Sequence, residues 1–262
     1  MKKLLPGLYI VSTPIGNLDD ITIRSIDVLK NSDIILCEDT RRSLKLLNHL
    51  NIKKKLISYH KFNEKKELTK LIEYLNEGKI LSIISDAGTP ALSDPGKILI
   101  NKCIIEKINI FSIPGPSSIT SAMSLSGYDD KFLFYGFLPK TEQELEKVLL
   151  NLSNLNYAII FFISGVKIDF YLKIFKKYLS NRNIMIGREL TKIHETLYRD
   201  SINDINLFQS SLKGELTIVV SAKISKADLF DDKYITKQAK IFLKKYSLKD
   251  VVELISVKDK IA

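Results

Sequence analysis

The sequence predicts an α/β protein of two domains: a mostly parallel five-stranded sheet with helices, then a mixed-sheet α/β domain, then a short helical tail. Three observations predict it. Apolar runs alternate with amphipathic segments through the first 128 residues, giving five strands in a βαβ rhythm that needs parallel pairing and helical crossovers. Four of those runs end in Gly-, Pro- or charge-rich segments, at 13–17, 38–42, 85–96 and 114–118, and in a parallel sheet such ends share one edge. After Gly127-Tyr128-Asp129-Asp130 the pattern turns aromatic-rich. The domains are therefore drawn at 1–128, 129–226 and 227–262.

Leu8-Tyr9-Ile10-Val11-Ser12 reads as the first strand, and Thr13-Pro14-Ile15-Gly16-Asn17-Leu18 as a tight loop. Asp19 to Thr22 offers caps for a short helix over 23–30. Residues 33–37 form a second buried strand, ending in the charge cluster Glu38-Asp39-Thr40-Arg41-Arg42. A helix carrying Leu44, Leu47 and Leu50 follows, then a strand over 56–59. Leu68, Leu71, Ile72 and Leu75 recur at i, i+3, i+4, i+7, which makes 64–77 an amphipathic helix. Residues 80–84 are a buried strand and 97–100 open a helix; 108–113 are the fifth strand. In the second half, strands are expected at 132–137, 158–162, 183–187 and 215–220, with helices at 142–153 and 167–180. The Lys-rich tail carries two short amphipathic helices, at 235–245 and 248–255.

The segment from Ser85 to Gly96 holds two glycines, two prolines and two carboxylates over 12 residues. Most βα connections run 2–6 residues, so this one is built for more than a turn. Glycine allows close backbone approach to a ligand, and proline fixes the loop shape.

The net charge of +10 and pI of about 9.3 favour a polyanionic partner, nucleic acid first. Only 6 of the 40 basic residues are Arg, and a Lys-rich composition weakens that inference. The longest apolar run, 157–166, is too short to cross a bilayer, and the basic start is followed by Pro6-Gly7 rather than an apolar leader. No membrane partner is expected. Cys37 and Cys103 lack metal-ligand spacing and read as buried thiols, which fits a reducing cytoplasm. No dinucleotide fingerprint, P-loop or nucleophile elbow occurs, the three histidines are scattered, and no metal is expected.

Eight motifs stand in order: Thr13-Pro14-Ile15-Gly16-Asn17-Leu18, Glu38-Asp39-Thr40-Arg41, Ser85-Asp86-Ala87-Gly88-Thr89-Pro90, Ser93-Asp94-Pro95-Gly96, Pro114-Gly115-Pro116-Ser117, Gly136-Phe137-Leu138-Pro139, Arg188-Glu189-Leu190-Thr191-Lys192 and Gly214-Glu215. Over residues 7–222 the chain resembles the bacterial 16S ribosomal RNA 2′-O-ribose methyltransferases that modify a cytidine near the decoding site, a branch of the tetrapyrrole methylase fold. The resemblance implies S-adenosylmethionine in a cleft between the domains, small-subunit 16S rRNA as partner, and a homodimer. It points to Asp86, Ala87, Gly88, Thr89, Ser117 and Ser118 for the cofactor, with Gly214 and Phe162 near the adenosine segments.

A ribose hydroxyl is a weak acid, so a positioned carboxylate or cation aids its attack. Glu38, Asp39 and Lys192 are the catalytic candidates, with Arg41 and Glu189 also suited by type and place. One of Glu38 and Asp39 is expected to cap a helix instead. Asn17, Arg41, Arg42 and Arg188 are the substrate-side candidates; for Arg41 and Arg42 the alternative is a salt bridge to Asp39. His60 is expected to be structural, and strand alternation at period two favours core packing over base stacking for Phe132, Phe134 and Phe137.

The chain departs from the family pattern at Ile163-Ser164-Gly165-Val166-Lys167, at the thinned basic segment after Lys140, at Phe62 where the family tends to have His, and in a short tail. Two alternatives stay open: an RNA-binding ribosome-assembly factor with little or no methylation, and a methyltransferase of the same fold acting on a tetrapyrrole. The Thr-Pro-Ile-Gly-Asn-Leu loop, in place of a Gly-x-Gly loop, argues against the latter.

Overall fold

The structure, a computed structural model, describes residues 3–128, 131–206, 208, 212–224, 236 and 239–259. The first sheet holds β1 (Gly7–Val11), β2 (Ile34–Cys37), β3 (Lys55–Ser58), β4 (Ile80–Ile83) and β5 (Ile110–Ile113), all parallel, in the order β3-β2-β4-β1-β5. Its helices are α1 (Ile23–Asn31), α2 (Thr40–His49), α3 (Glu64–Asn76) and α4 (Lys97–Ile105).

That order decides where a ligand can bind. From β1 to β2 to β3 the chain steps one way; from β3 to β4 to β5 it steps back. Right-handed crossovers then place α1 and α2 on one face and α3 and α4 on the other. The packing agrees: Val28, Leu29 and Leu47 meet Tyr9, Val11 and Ile35, whereas Leu71, Leu75, Leu99 and Cys103 meet Leu8, Leu36 and Leu81. Strand β4 lies between β1 and β2, whose connections leave over the opposite face from its own. The β4 carboxyl end therefore opens at the topological switch point, where α/β sheets bind ligands.

The second sheet comprises β6 (Phe132–Phe137), β7 (Ala158–Ser164), β8 (Asn183–Arg188), β9 (Thr196–Ser201) and β10 (Glu215–Val220), in the order β6-β7-β10-β8-β9. Only the β6–β7 pair is parallel, so the sheet is mixed, as expected. Helices α6 (Glu142–Ser153) and α7 (Ile168–Tyr178) cover one face through Leu145, Leu149, Leu172 and Phe175. The other face is covered by α5 (Ser118–Ser126), whose Ile119 and Ala122 pack on Ala158, Ile160, Met185 and Val219.

Two elements exceed the sequence expectation. Strand β9 is an edge strand with only half-buried and exposed positions, so it lacks an apolar signature. Helix α5 is Ser-rich and was not expected; it is stopped by Gly127 in the left-handed region at φ 70°. In the tail, α8 (Leu248–Asp259) covers the second expected helix, and part of the 235–245 span lies outside the described residues.

Arg182 is fully buried with no carboxylate partner among the described residues. Its guanidinium donates to the carbonyls of Leu152, Ser153 and Leu155 at the end of α6, and to those of Tyr157 and Ser221. A cation at a helix C-terminus is stabilised by the carbonyl ends it meets. Burial lowers its pKa.

Candidate active site

The loop from 84 to 96 is held in a folded shape by side chains beneath it. The Ser85 hydroxyl donates to the carbonyls of Ala87 (3.2 Å) and Gly88 (3.1 Å). Thr13 and Gly88 exchange backbone hydrogen bonds of 2.9 and 3.0 Å, tying the loop after β1 to the loop after β4. The buried Glu64 carboxylate accepts the Gly96 N–H at 2.8 Å and so caps α4 from another element. Gly88, Gly96 and the non-glycines Ala91 (φ 64°) and Ser93 (φ 66°) adopt positive φ. Left-handed non-glycine backbone costs about 1 kcal/mol or more per residue, and such strain clusters at ligand sites.

Above this loop lies a cavity of about 310 Å³, walled on one side by the first sheet's loops and on the other by the second sheet. That volume is in the range of small-molecule sites. The first half contributes Ile15, Glu38, Arg42, residues 86–89, Leu92, Ser93, Asp94 and residues 117–119. The second contributes Phe137, Phe162, Gly187, Glu189, Leu190, Lys192 and residues 215–217. The rings of Phe137 and Phe162 meet edge to face at 5.4 Å.

The lining is rich in carboxylates. Asp86 accepts the Asp39 N–H at 3.2 Å and pairs with Arg42 at 3.2 Å. Glu189 pairs with Lys192 at 2.9 Å. Glu38, Asp94 and Glu215 make no ion pair among the described residues. Burial, then the charges of Glu38, Asp86 and Glu215, push the Asp94 carboxyl up to about 7. Burial and Asp86 raise Glu38, against the lowering pull of His60 and Arg42.

The two walls touch at the mouth. The turn after β8 places Glu189 and Thr191 at positive φ, and Thr191 Oγ1 accepts the Asn17 N–H at 3.1 Å. A Cβ on Gly16 would meet Lys192 Cγ at 2.5 Å and Thr191 Oγ1 at 2.7 Å, so only glycine permits this approach. Gly214, at φ +95°, likewise leaves the room that the Glu189 carboxylate occupies.

Among the sequence candidates, Glu38, Arg42, Asp86, Ala87, Gly88, Thr89, Ser117, Ser118 and Lys192 come together in the lining. Asp39, Arg41, Asn17 and Arg188 stand outside it. Asp39 is the N-cap of α2, accepting the Arg41 N–H, and its salt bridge to the Arg41 guanidinium (2.9 Å) holds its carboxyl down at about 2. Asn17 caps the turn at 18–20 through the Asp19 N–H. Arg188 Nε donates to the Lys213 carbonyl at 3.1 Å. His60 is a turn residue whose Nδ1 accepts the Phe62 N–H at 3.3 Å.

Sequence reasoning missed the roles of Asp94 and Glu215 in the lining, although both lie within its motifs. Phe132 and Phe137 also depart from the core expectation, at 41% and 58% exposed, and Phe137 lines the cavity; Phe134 does pack against the core. Among the described residues no group of His, Cys, Asp and Glu is arranged to hold a metal ion, and no helix is long and apolar enough to cross a membrane. Cys37 and Cys103 are buried free thiols.

Comparison with known proteins gives a consistent result. The family described as "Tetrapyrrole (Corrin/Porphyrin) Methylases" matches residues 7–206. A protein of Mesomycoplasma conjunctivae named Ribosomal RNA small subunit methyltransferase I is 46% identical over 84% of this chain and 93% of its own. The Thermotoga maritima protein of the same name is 42% identical over 82% of this chain and 98% of its own. Among solved structures, the methyltransferase CobJ covers 82% of this chain and 94% of its own with a TM-score of 0.63 at 16% identity, which speaks for the fold. A cobalt precorrin-4 methyltransferase, CbiF, gives a TM-score of 0.59 over the same shares. The chain belongs to the tetrapyrrole methylase family, beside relatives named Ribosomal RNA small subunit methyltransferase I.

Proposed function

We propose that this chain transfers a methyl group from S-adenosylmethionine to small-subunit ribosomal RNA, at the 2′-hydroxyl of a cytidine near the decoding site. The observation that carries the reading is the cavity at the β4 switch point, walled by both sheets and lined by carboxylates. Its residues suit the cofactor. Carboxylates match a ligand bearing sulfonium and ammonium cations, the Ser117, Ser118 and Thr89 hydroxyls and the loop backbone offer hydrogen bonds, and Phe137 and Phe162 offer ring faces. Bound there, S-adenosylmethionine supplies an electrophilic methyl on sulfur.

The chain's own contribution is position and proton transfer. Holding donor and acceptor in line accounts for about 7–11 kcal/mol of a barrier of this kind. Glu38 is the group we assign to accept the hydroxyl proton, because its raised pKa makes it a better base than an ordinary carboxylate. Lys192 and Arg42 flank the site as cations for the RNA side, while Asp39 serves by fixing α2 and the Arg41 guanidinium. Arg41, Asn17 and Arg188 lie outside the cavity wall, where RNA rather than cofactor would reach them. The reading includes a homodimer acting in the cytoplasm.

The test is to incubate small ribosomal subunits lacking the methyl group with the protein and labelled S-adenosylmethionine, then map the label by mass spectrometry of nuclease fragments. A ribose methyl near the decoding site, lost in Asp86→Ala, is expected. Cofactor binding without any label would favour an assembly factor, and a copurifying porphyrin-like chromophore would favour a tetrapyrrole substrate.

A further inference from the structure

Strand β3 pairs in parallel with β2, with Ser58 beside Cys37, so the turn after β3 emerges at the edge where Glu38 and Arg42 enter the cavity wall. The Ser58 hydroxyl reaches the Glu38 carbonyl at 3.5 Å, and the Tyr59 N–H donates to the Cys37 carbonyl at 2.8 Å. The turn is closed by its own hydrogen bonds. Asn63 Oδ1 accepts the His60 N–H at 2.8 Å, Asn63 Nδ2 donates to the Ser58 carbonyl at 2.8 Å, and the Asn63 and Glu64 N–H groups return to the His60 carbonyl.

At the tip of this turn stands Phe62, which is 94% exposed. It is more exposed than any other Phe or Tyr among the described residues. A lone surface apolar residue is ordinary. This one combines three properties that an ordinary one does not need: a turn closed by its own hydrogen bonds, a place on the sheet edge from which Glu38 enters the cavity wall, and exposed lysines on both sides of it in sequence. Lys61, Lys65 and Lys66 are exposed beside it in sequence, while Arg41 and Arg42 at the start of α2 are held by Asp39 and Asp86. An aromatic face among cations is the chemistry that holds an unpaired nucleobase: the ring stacks on the base and the cations meet the flanking phosphates.

We propose that Phe62 is a stacking platform for an unpaired RNA base next to the target nucleotide. This rests on the reading of the chain as an RNA methyltransferase and adds a substrate-binding residue to it. A base held on Phe62 leaves its neighbour free to enter the cavity from the rim. Phe62 touches nothing that reacts, so it acts on substrate binding and not on the transfer step.

Because the ring is exposed, Phe62→Ala leaves the fold intact, and Phe62→Tyr restores a stacking surface. Stacking measured by alanine substitution corresponds to about a fivefold to hundredfold change in affinity. Phe62→Ala is therefore expected to raise the KM for small ribosomal subunits at least about fivefold, with kcat and cofactor affinity unchanged, and Phe62→Tyr to return it to near wild type. Fluorescence anisotropy with a labelled single-stranded RNA should show the same loss at every salt concentration with an unchanged salt slope, because no phosphate contact is removed. Wild-type activity with an unaltered KM in Phe62→Ala overturns the proposal. If the wild type methylates no RNA, the functional reading fails, and equal anisotropy of the wild type and Phe62→Ala then overturns the stacking role separately.

Discussion

Replacing Asp94 by Asn tests the electrostatics of the cavity directly. Asp94 is half-buried and faces Glu38 after β2, Asp86 on its own loop and Glu215 on β10, while Arg42 and Lys192 are engaged by Asp86 and Glu189. A carboxyl raised from 3.8 to about 7 keeps its proton in the folded protein at pH values where the unfolded chain has lost it. The native state then binds more protons, so stability falls as pH rises from about 4 to about 7. Unscreened, the part of that loss developing between pH 5 and pH 8 is about 2.5 kcal/mol. Water reaches the group and screens it, so about 1–1.5 kcal/mol is expected. Urea denaturation of wild type and Asp94→Asn at the two pH values measures it. The variant should gain that amount on the wild type in going from pH 5 to pH 8. A cationic ligand favours the ionised carboxyl, so S-adenosylmethionine should bind the wild type more tightly as pH rises through 7 and release protons on binding; Asp94→Asn should flatten both. Parallel stabilities for the two proteins at both pH values would refute the placement of Asp94 among unpaired carboxylates.

Arg182→Met should cost about 3–5 kcal/mol, since it strips the donor from five carbonyls, all buried or part-buried, at the end of α6 and at the ends of β7 and β10; thermal unfolding reads it, and a loss under 1 kcal/mol would contradict that role. Gly16→Ala should push the loop after β1 away from Lys192 and Thr191, costing about 1–3 kcal/mol and weakening cofactor binding about tenfold by calorimetry. Unchanged affinity would show that this contact does not set the cavity's width.

The parallel half was legible because its central strands β1, β2 and β4 are buried on both faces and its helices repeat at helical spacing, as at Leu68, Leu71, Ile72 and Leu75. Strand β9 was not, since an edge strand with one half-buried side carries no alternation strong enough to read. Helix α5 hid behind its serines, which the structure places along a helix whose apolar side is only Ile119, Ala122 and Met123. At the site, the motif residues of the 85–96 loop could be read as a ligand loop, but the choice between Glu38 and Asp39 depended on which one caps α2. Glu215 could not be placed, because its approach to Asp94 joins two sheets far apart in the chain.

Helix α5 leaves the last strand of the parallel sheet yet lies against the second sheet, under Ala158, Ile160, Met185 and Val219. Ser117, Ser118 and Ile119 at its start are also part of the cavity wall. Neither half is thus self-sufficient: cut after residue 127, the first would carry a greasy strip with nothing to cover, and the second would lose one side of its core. The chain should melt as one cooperative body, and any opening of the cleft has to flex the short link between β5 and α5, because that helix is bedded on the second sheet.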